Sequence, residues 1–169
     1  ADMTRVVVGV DPAGGTDEDL GTSEVGIVAA GVDEKMTRLG YVLADRSLHG
    51  SPETWARVVV GLYREVKADA VVAEKNFGGD MVRAVIHAVD SSVNVKLVTA
   101  SRGKTVRAEP VAALYEQARV VHARPFPDLE DQMCTYVAGA DMDSPDRMDA
   151  LVWAFTELLI DKSGASVEQ

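Results

Sequence analysis

The stretch Val6-Val7-Val8-Gly9-Val10-Asp11-Pro12 constrains this chain more than any other. A short run of β-branched residues closed by a Pro/Gly turn reads as a strand buried on both faces. Such a strand opens into a loop at its end, a place where a sheet can present a charge to a ligand. It also ends in a carboxylate. A buried Asp is costly unless it is paired or holds a cation, so Asp11 asks for a reason at the outset.

The remaining chain supplies further strands and helices. Glu24–Val32 and Thr37–Asp45 read as two more strands, and with short connections the three form an antiparallel meander. Asp33-Glu34-Lys35 makes the turn between the last two. Ser51-Pro52-Glu53 is a helix start, followed by Trp55, Val58, Val59, Leu62, Tyr63 and Val66 at helical spacing. The two aromatic residues there are expected in the core. From here strand and helix alternate: a strand over Ala68–Ala73 with Glu74 at its end, a helix opened by Gly78-Gly79-Asp80, and a strand over Val93–Thr99. A basic loop, 101–107, precedes a helix over Arg107–Gln117, then a short strand over Arg119–Ala123 and a helix over Pro127–Val137. A polar loop, 138–144, leads to Ser144-Pro145-Asp146-Arg147, a second helix start of the Ser-Pro-acid type. The last helix carries Met148, Leu151, Val152, Phe155, Leu158 and Leu159 on one face. The expected fold is α/β: a mixed sheet, part antiparallel meander and part parallel, with helices on both faces. One domain over 1–162 and a polar, disordered tail over 163–169 are expected. That suits a chain of 169 residues, 47% of them hydrophobic, which can build one substantial core.

Three carboxylates stand in comparable settings. Asp11 and Glu74 each end an apolar strand, and neighbouring strands would bring both to one edge of the sheet. Asp149 lies nearly a turn inside the last helix, where the helix dipole no longer rewards an acid. Asp146, in the first turn, is explained by that dipole alone. Hard divalent cations such as magnesium and manganese take oxygen ligands of this kind. Two such ions about 4 Å apart can activate water and stabilise the leaving oxygen of a phosphodiester. No zinc spacing competes: His49, His87 and His122 are isolated, and Cys134 is the only cysteine, expected as a core thiol on a helix. The carboxylates of Thr16-Asp17-Glu18-Asp19 lack an EF-hand's Gly and terminal Glu and read as a solvated loop. There is no phosphate-binding Walker loop and no nucleophile elbow.

The net charge of −10 argues against simple nucleic-acid binding, which draws on Lys and Arg. Its distribution softens the objection. Residues 54–124 hold 11 basic and 7 acidic side chains, whereas 1–53 hold 4 and 10 and 125–169 hold 2 and 10. No apolar run approaches the roughly 20 residues that cross a bilayer. No signal sequence precedes the first strand, so cytoplasm is the expected compartment. The start so close to a strand suits a domain of a longer protein.

With Asp–Glu–Asp in this order of elements, the chain resembles the ribonuclease H-like superfamily. It is similar, more closely, to the C-terminal nuclease domain of tailed-phage large terminases. The resemblance rests on Val8-Gly9-Val10-Asp11-Pro12-Ala13 and Ala73-Glu74-Lys75-Asn76-Phe77-Gly78-Gly79. It continues through Lys104-Thr105-Val106-Arg107-Ala108-Glu109-Pro110-Val111, Leu114-Tyr115-Glu116-Gln117 and the segment Ser144–Ala154. It implies a two-metal endonuclease, with Mg2+ or Mn2+ held by Asp11, Glu74 and Asp149 and with Asp146 as an auxiliary. Lys104 and Arg107 would lie near the DNA, joined by Arg102 and Lys75 from the basic middle. It further implies double-stranded DNA as substrate, with a small terminase and a portal as partners at the procapsid in the host cytoplasm, and no membrane. The ATPase domain of a full terminase is not in this chain. Three other readings stand beside it: a cellular resolvase or ribonuclease H of the same fold, an actin-like or sugar-kinase ATPase domain, and a silent docking module whose acids cap helices.

Overall fold

A computed structural model describes residues 2–12, 24–75, 79–99 and 104–136, and 146–160, with 104–106 described by their backbone alone. The loop at 14–22, the 138–144 loop, the Ser144-Pro145 helix start and the tail lie outside the described residues. Seven strands form one mixed sheet: β1 (Arg5–Pro12), β2 (Glu24–Val32), β3 (Gly40–Asp45), β4 (Leu48–His49), β5 (Ala70–Glu74), β6 (Val95–Val98) and β7 (Val120–His122). The sheet order is β6-β5-β1-β2-β3-β7, with β4 beside β2. The meander β1-β2-β3 is antiparallel, whereas β5 lies parallel to β1 and β6 parallel to β5. The carboxyl ends of β1, β5 and β6 therefore meet at one edge, where open α/β sheets bind ligands.

Among the described residues, five α-helices cover the two faces: α1 (Pro52–Glu65), α2 (Asp80–Val89), α3 (Lys104–Glu116), α4 (Pro127–Thr135) and α5 (Asp146–Phe155). A π-helical turn, Thr156–Ile160, continues α5. Strand alternation sorts the side chains. Val8, Val10, Val71 and Ala73 pack with Trp55, Val59, Val82 and Ile86 of α1 and α2. Val7, Ala70 and Val72 pack with Leu151, Trp153 and Phe155 of α5 and Val111 of α3. Trp55 is buried as expected, and Tyr63 packs beside it. Among the described residues no helix is long and apolar enough to cross a membrane.

Several boundaries differ from expectation for identifiable reasons. The third strand begins at Gly40 because Asp33 accepts hydrogen bonds from the N–H groups of Lys35, Met36 and Thr37, closing a longer turn. Strand β5 begins at Ala70 because α1 ends in a Schellman motif. Ala68 N–H donates to Tyr63 O, Lys67 N–H to Arg64 O, and Lys67 takes φ 52°. Helix α3 ends the same way, with Arg119 N–H on Leu114 O and Ala118 at φ 55°, so β7 starts at Val120. Both left-handed positions hold residues other than the usual Gly, which is why composition did not flag them. Residues 104–107 are not loop but the first turn of α3, and β4 was not expected at all. Cys134 lies on a helix as expected but is exposed, because α4 buries only Leu129.

Candidate active site

The site is built where α5 crosses β1 and β2. Helix and sheet approach so closely there that a Cβ on Gly9 would overlap the carbonyl oxygen of Ala150. A Cβ on Gly26 would likewise overlap the carbonyl oxygen of Asp146. Only glycine leaves room for main chain at these two points. Gly26 is the cross-strand partner of Asp11, so the first turn of α5 rests beside the end of β1.

Asp11 and Glu74 meet at the same edge. The parallel register pairs Val7 with Ala70, Val8 with Val71 and Gly9 with Val72. Carried two residues further, it sets Asp11 level with Glu74, on strands about 4.8 Å apart. Alternation puts both side chains on the α5 face, since Val7, Ala70 and Val72 belong to that core. Glu74 is buried, at 8% exposure, whereas Asp11 is half-buried. Gly79, just before α2, comes close to the end of β5: a Cβ on it would overlap the Glu74 carbonyl oxygen.

Asp149 and Asp146 come from α5. Asp146 is buried and Asp149 half-buried. The i,i+4 spacing puts Asp149 on the flank of α5 that carries Trp153. Trp153 in turn packs against Arg107, whose guanidinium carbon lies 4.5 Å from the ring centroid. Arg107 Nη1 stands 3.4 Å from Glu74 Oε1. Asp149 thus shares this flank of α5 with the tryptophan that packs on Arg107, as does Asp146, seven residues before it.

The opposite flank of α5 is pinned. Arg147 reaches Glu24 on β2 and Asp45 on β3, each at 2.7 Å, with Asp128 of α4 at 3.9 Å. Gln132 Oε1 accepts the N–H groups of Arg147 and Met148. Burial would pull the Arg147 guanidinium pKa down, but Asp45, Glu24 and Asp128 outweigh it and the net shift is upward. Sequence reading had no signal for this anchor, because its partners are distant in the chain.

The donors fit a hard divalent cation in chemistry, being all carboxylates, two at the ends of β1 and β5 and two on α5. They do not form a closed cage: among the described residues no three His, Cys, Asp or Glu side chains stand together as a metal group. The cation against Glu74 is Arg107. Two of the basic residues named from the sequence adjoin described elements near this edge. Lys75 comes directly after β5 and is exposed, Lys104 opens α3, and Arg102 lies outside the described residues. His87 bonds the Val93 carbonyl and His122 the Tyr115 hydroxyl, away from this edge.

A mixed sheet with an antiparallel meander beside parallel strands, and helices on both faces, is a ribonuclease H-like fold. Residues 8–158 match the Terminase RNaseH-like domain, and the chain belongs to that family. Its structure is similar to the large terminase nuclease from thermophilic phage G20c, with a TM-score of 0.63 at 15% identity over 91% of this chain and 82% of that one. A second structure of that nuclease, with bound zinc, matches equally well, with a TM-score of 0.63 at 16% identity over 91% and 81%. The yeast mitochondrial Holliday junction resolvase Ydc2 shares the fold with a TM-score of 0.51 at 13% identity, over 90% of this chain and 78% of that one. No curated protein sequence matches the chain.

Proposed function

We propose that this domain is a metal-dependent endonuclease that cuts double-stranded DNA, serving as the nuclease part of a phage DNA-packaging terminase. The observation that carries the reading is the register of β1 and β5, which sets Asp11 level with Glu74 beneath the helix that bears Asp149. Asp11, Glu74 and Asp149 would hold Mg2+ or Mn2+, and Asp146, one turn from Ala150, would assist from the same helix. Divalent ions bound there supply Lewis acidity and lower the pKa of water. The chain's own contribution is placement. Lys75, Arg102, Lys104 and Arg107 follow the carboxyl ends of β5 and β6, so phosphates drawn to them would run past the acidic edge. With four such cations against a net charge of −10, affinity for DNA alone would be weak and salt-sensitive. A terminase role would place the work at the portal in the host cytoplasm, with an ATPase domain and a small terminase as partners.

The test is nicking of supercoiled plasmid. Mn2+ or Mg2+ should support it with little sequence preference, Ca2+ should bind without supporting it, and EDTA should stop it. Equal cutting in EDTA would sink the metal reading. The likeness to a Holliday junction resolvase favours a second reading, cleavage of branched DNA. A marked preference for four-way junctions over linear duplex would decide for it.

A further inference from the structure

Arg107 does more in this structure than line a DNA path. It lies in the first turn of α3, a turn with no acidic residue, where the helix dipole disfavours a cation. Its side chain is one-fifth exposed and its carboxylate partner less than one-tenth, so both charges are largely out of water. Two neighbours hold it there: Glu74 Oε1 at 3.4 Å and the face of Trp153 at 4.5 Å. That distance to Glu74 is longer than the usual N–H···O hydrogen bond, which ends near 3.2 Å. The contact is a charge pair without the tight two-pronged geometry that Arg and a carboxylate can reach. Trp153 sits one turn beyond Asp149 on the same flank of α5. The guanidinium is therefore wedged between the carboxylate of β5 and the helix that carries Asp149.

We propose that Arg107 is a tethered counter-cation for the acidic edge. It neutralises Glu74 while no divalent ion is bound and leaves that carboxylate when one enters. This inference rests on the metal-nuclease reading above. The physical argument is competition for one oxygen. A buried carboxylate is costly without a hydrogen-bonding or charged partner, and Arg107, 3.4 Å from Glu74 Oε1, would repel and compete with a second cation brought to that oxygen. The consequence is that metal affinity is lowered by the free energy of the Arg107–Glu74 pair. The released guanidinium, still on the stem of α3, becomes available to a phosphate at the moment the metal arrives.

The experiment is Mn2+ binding without DNA, followed by the electron paramagnetic resonance of free Mn2+, in the unmodified protein, Arg107→Gln and Glu74→Gln. Removing the competing charge should tighten Mn2+ binding roughly tenfold, the scale of a charge-assisted contact, and Glu74→Gln should weaken it. Equal or weaker binding by Arg107→Gln, with clear binding by the unmodified protein, overturns this inference and leaves the nuclease reading standing. No Mn2+ binding by any of the three overturns both. A second readout needs no variant. Departure of the guanidinium from its place between Glu74 and Trp153 should change Trp153 emission during a Mg2+ titration. Trp55, in the core on the other face of the sheet, supplies a constant background. Emission that stays unchanged while Mn2+ binds also overturns the proposal.

Discussion

Gly9 of β1 lies directly beneath the carbonyl of Ala150, so close that no side chain fits between strand and helix. This contact sets the height of α5 over the sheet, and with it the height of Asp149 over Asp11 and Glu74. Gly9→Ala would force main chain apart, not merely a flexible side chain. Overpacking of this sort costs about 1–3 kcal/mol, and rigid main chain on both sides puts Gly9→Ala at the upper end. Urea unfolding should show that loss. Nicking should fall further than the loss of folded protein explains, because α5 is lifted away from the other two acids.

Asp11→Asn, Glu74→Gln and Asp149→Asn should each reduce plasmid nicking by more than the roughly 10–100-fold that loss of an outer-shell partner costs, with the circular dichroism spectrum retained. Asp146→Asn should be the mildest of the four changes, since Asp146 has only an auxiliary place in the proposed site. Full activity in Asp149→Asn beside a dead Asp146→Asn would reverse that assignment.

Arg147→Met should destabilise the protein by about 3 kcal/mol, the scale of breaking a largely buried ion pair from one side. It strands Glu24 and Asp45, both mostly buried, and frees the start of α5. Thermal unfolding measures the loss. Addition of Mn2+ should restore little of it, because the anchor lies on the flank of α5 away from Glu74.

Asp90 should make part of the stability depend on acid pH. Its carboxyl is held down at about 2, first by the Ser92 hydroxyl, then by the Ser92 N–H and the Arg64 guanidinium. The folded protein therefore binds this proton more weakly than the unfolded chain does. The contribution of Asp90 is complete above its ordinary value of 3.8 and is lost as the pH falls toward about 2. Asp90→Asn should be less stable than the unmodified protein at neutral pH, and the gap should narrow through that window. A gap that stays constant across the window would refute the assignment.

Much of the architecture is legible in the order of residues alone. The bounds of β2 agree residue for residue, and the Ser51-Pro52 start of α1 is in place, with Ser51 accepting the Thr54 N–H. These features are local: alternation, a cap and a proline at a helix start. The misses are non-local or lack a sequence marker. Lys67 and Ala118 end helices in a conformation normally marked by glycine, Asp33 closes its turn through its side chain, and β4 exists only because Glu24 and Val25 offer it an edge. Cys134 was expected inside because Cys is usually buried, but α4 has too narrow an apolar stripe to hide it.

The sequence by itself determined that a buried strand ends in Asp11, that another ends in Glu74, and that Asp149 belongs to the last helix. Those facts follow from the period of side chains along a strand or a helix, which is written in the chain. The depth of Asp149 in that helix differs from expectation, because among the described residues α5 starts at Asp146 and Asp149 falls in its first turn. Only the tertiary structure decided that Asp11 and Glu74 stand level, that α5 rides on Gly9 and Gly26, and that Arg107 sits against Glu74. Each of these depends on strand register and helix height. Both are set by packing between segments far apart in sequence, where no local pattern of residues carries the information.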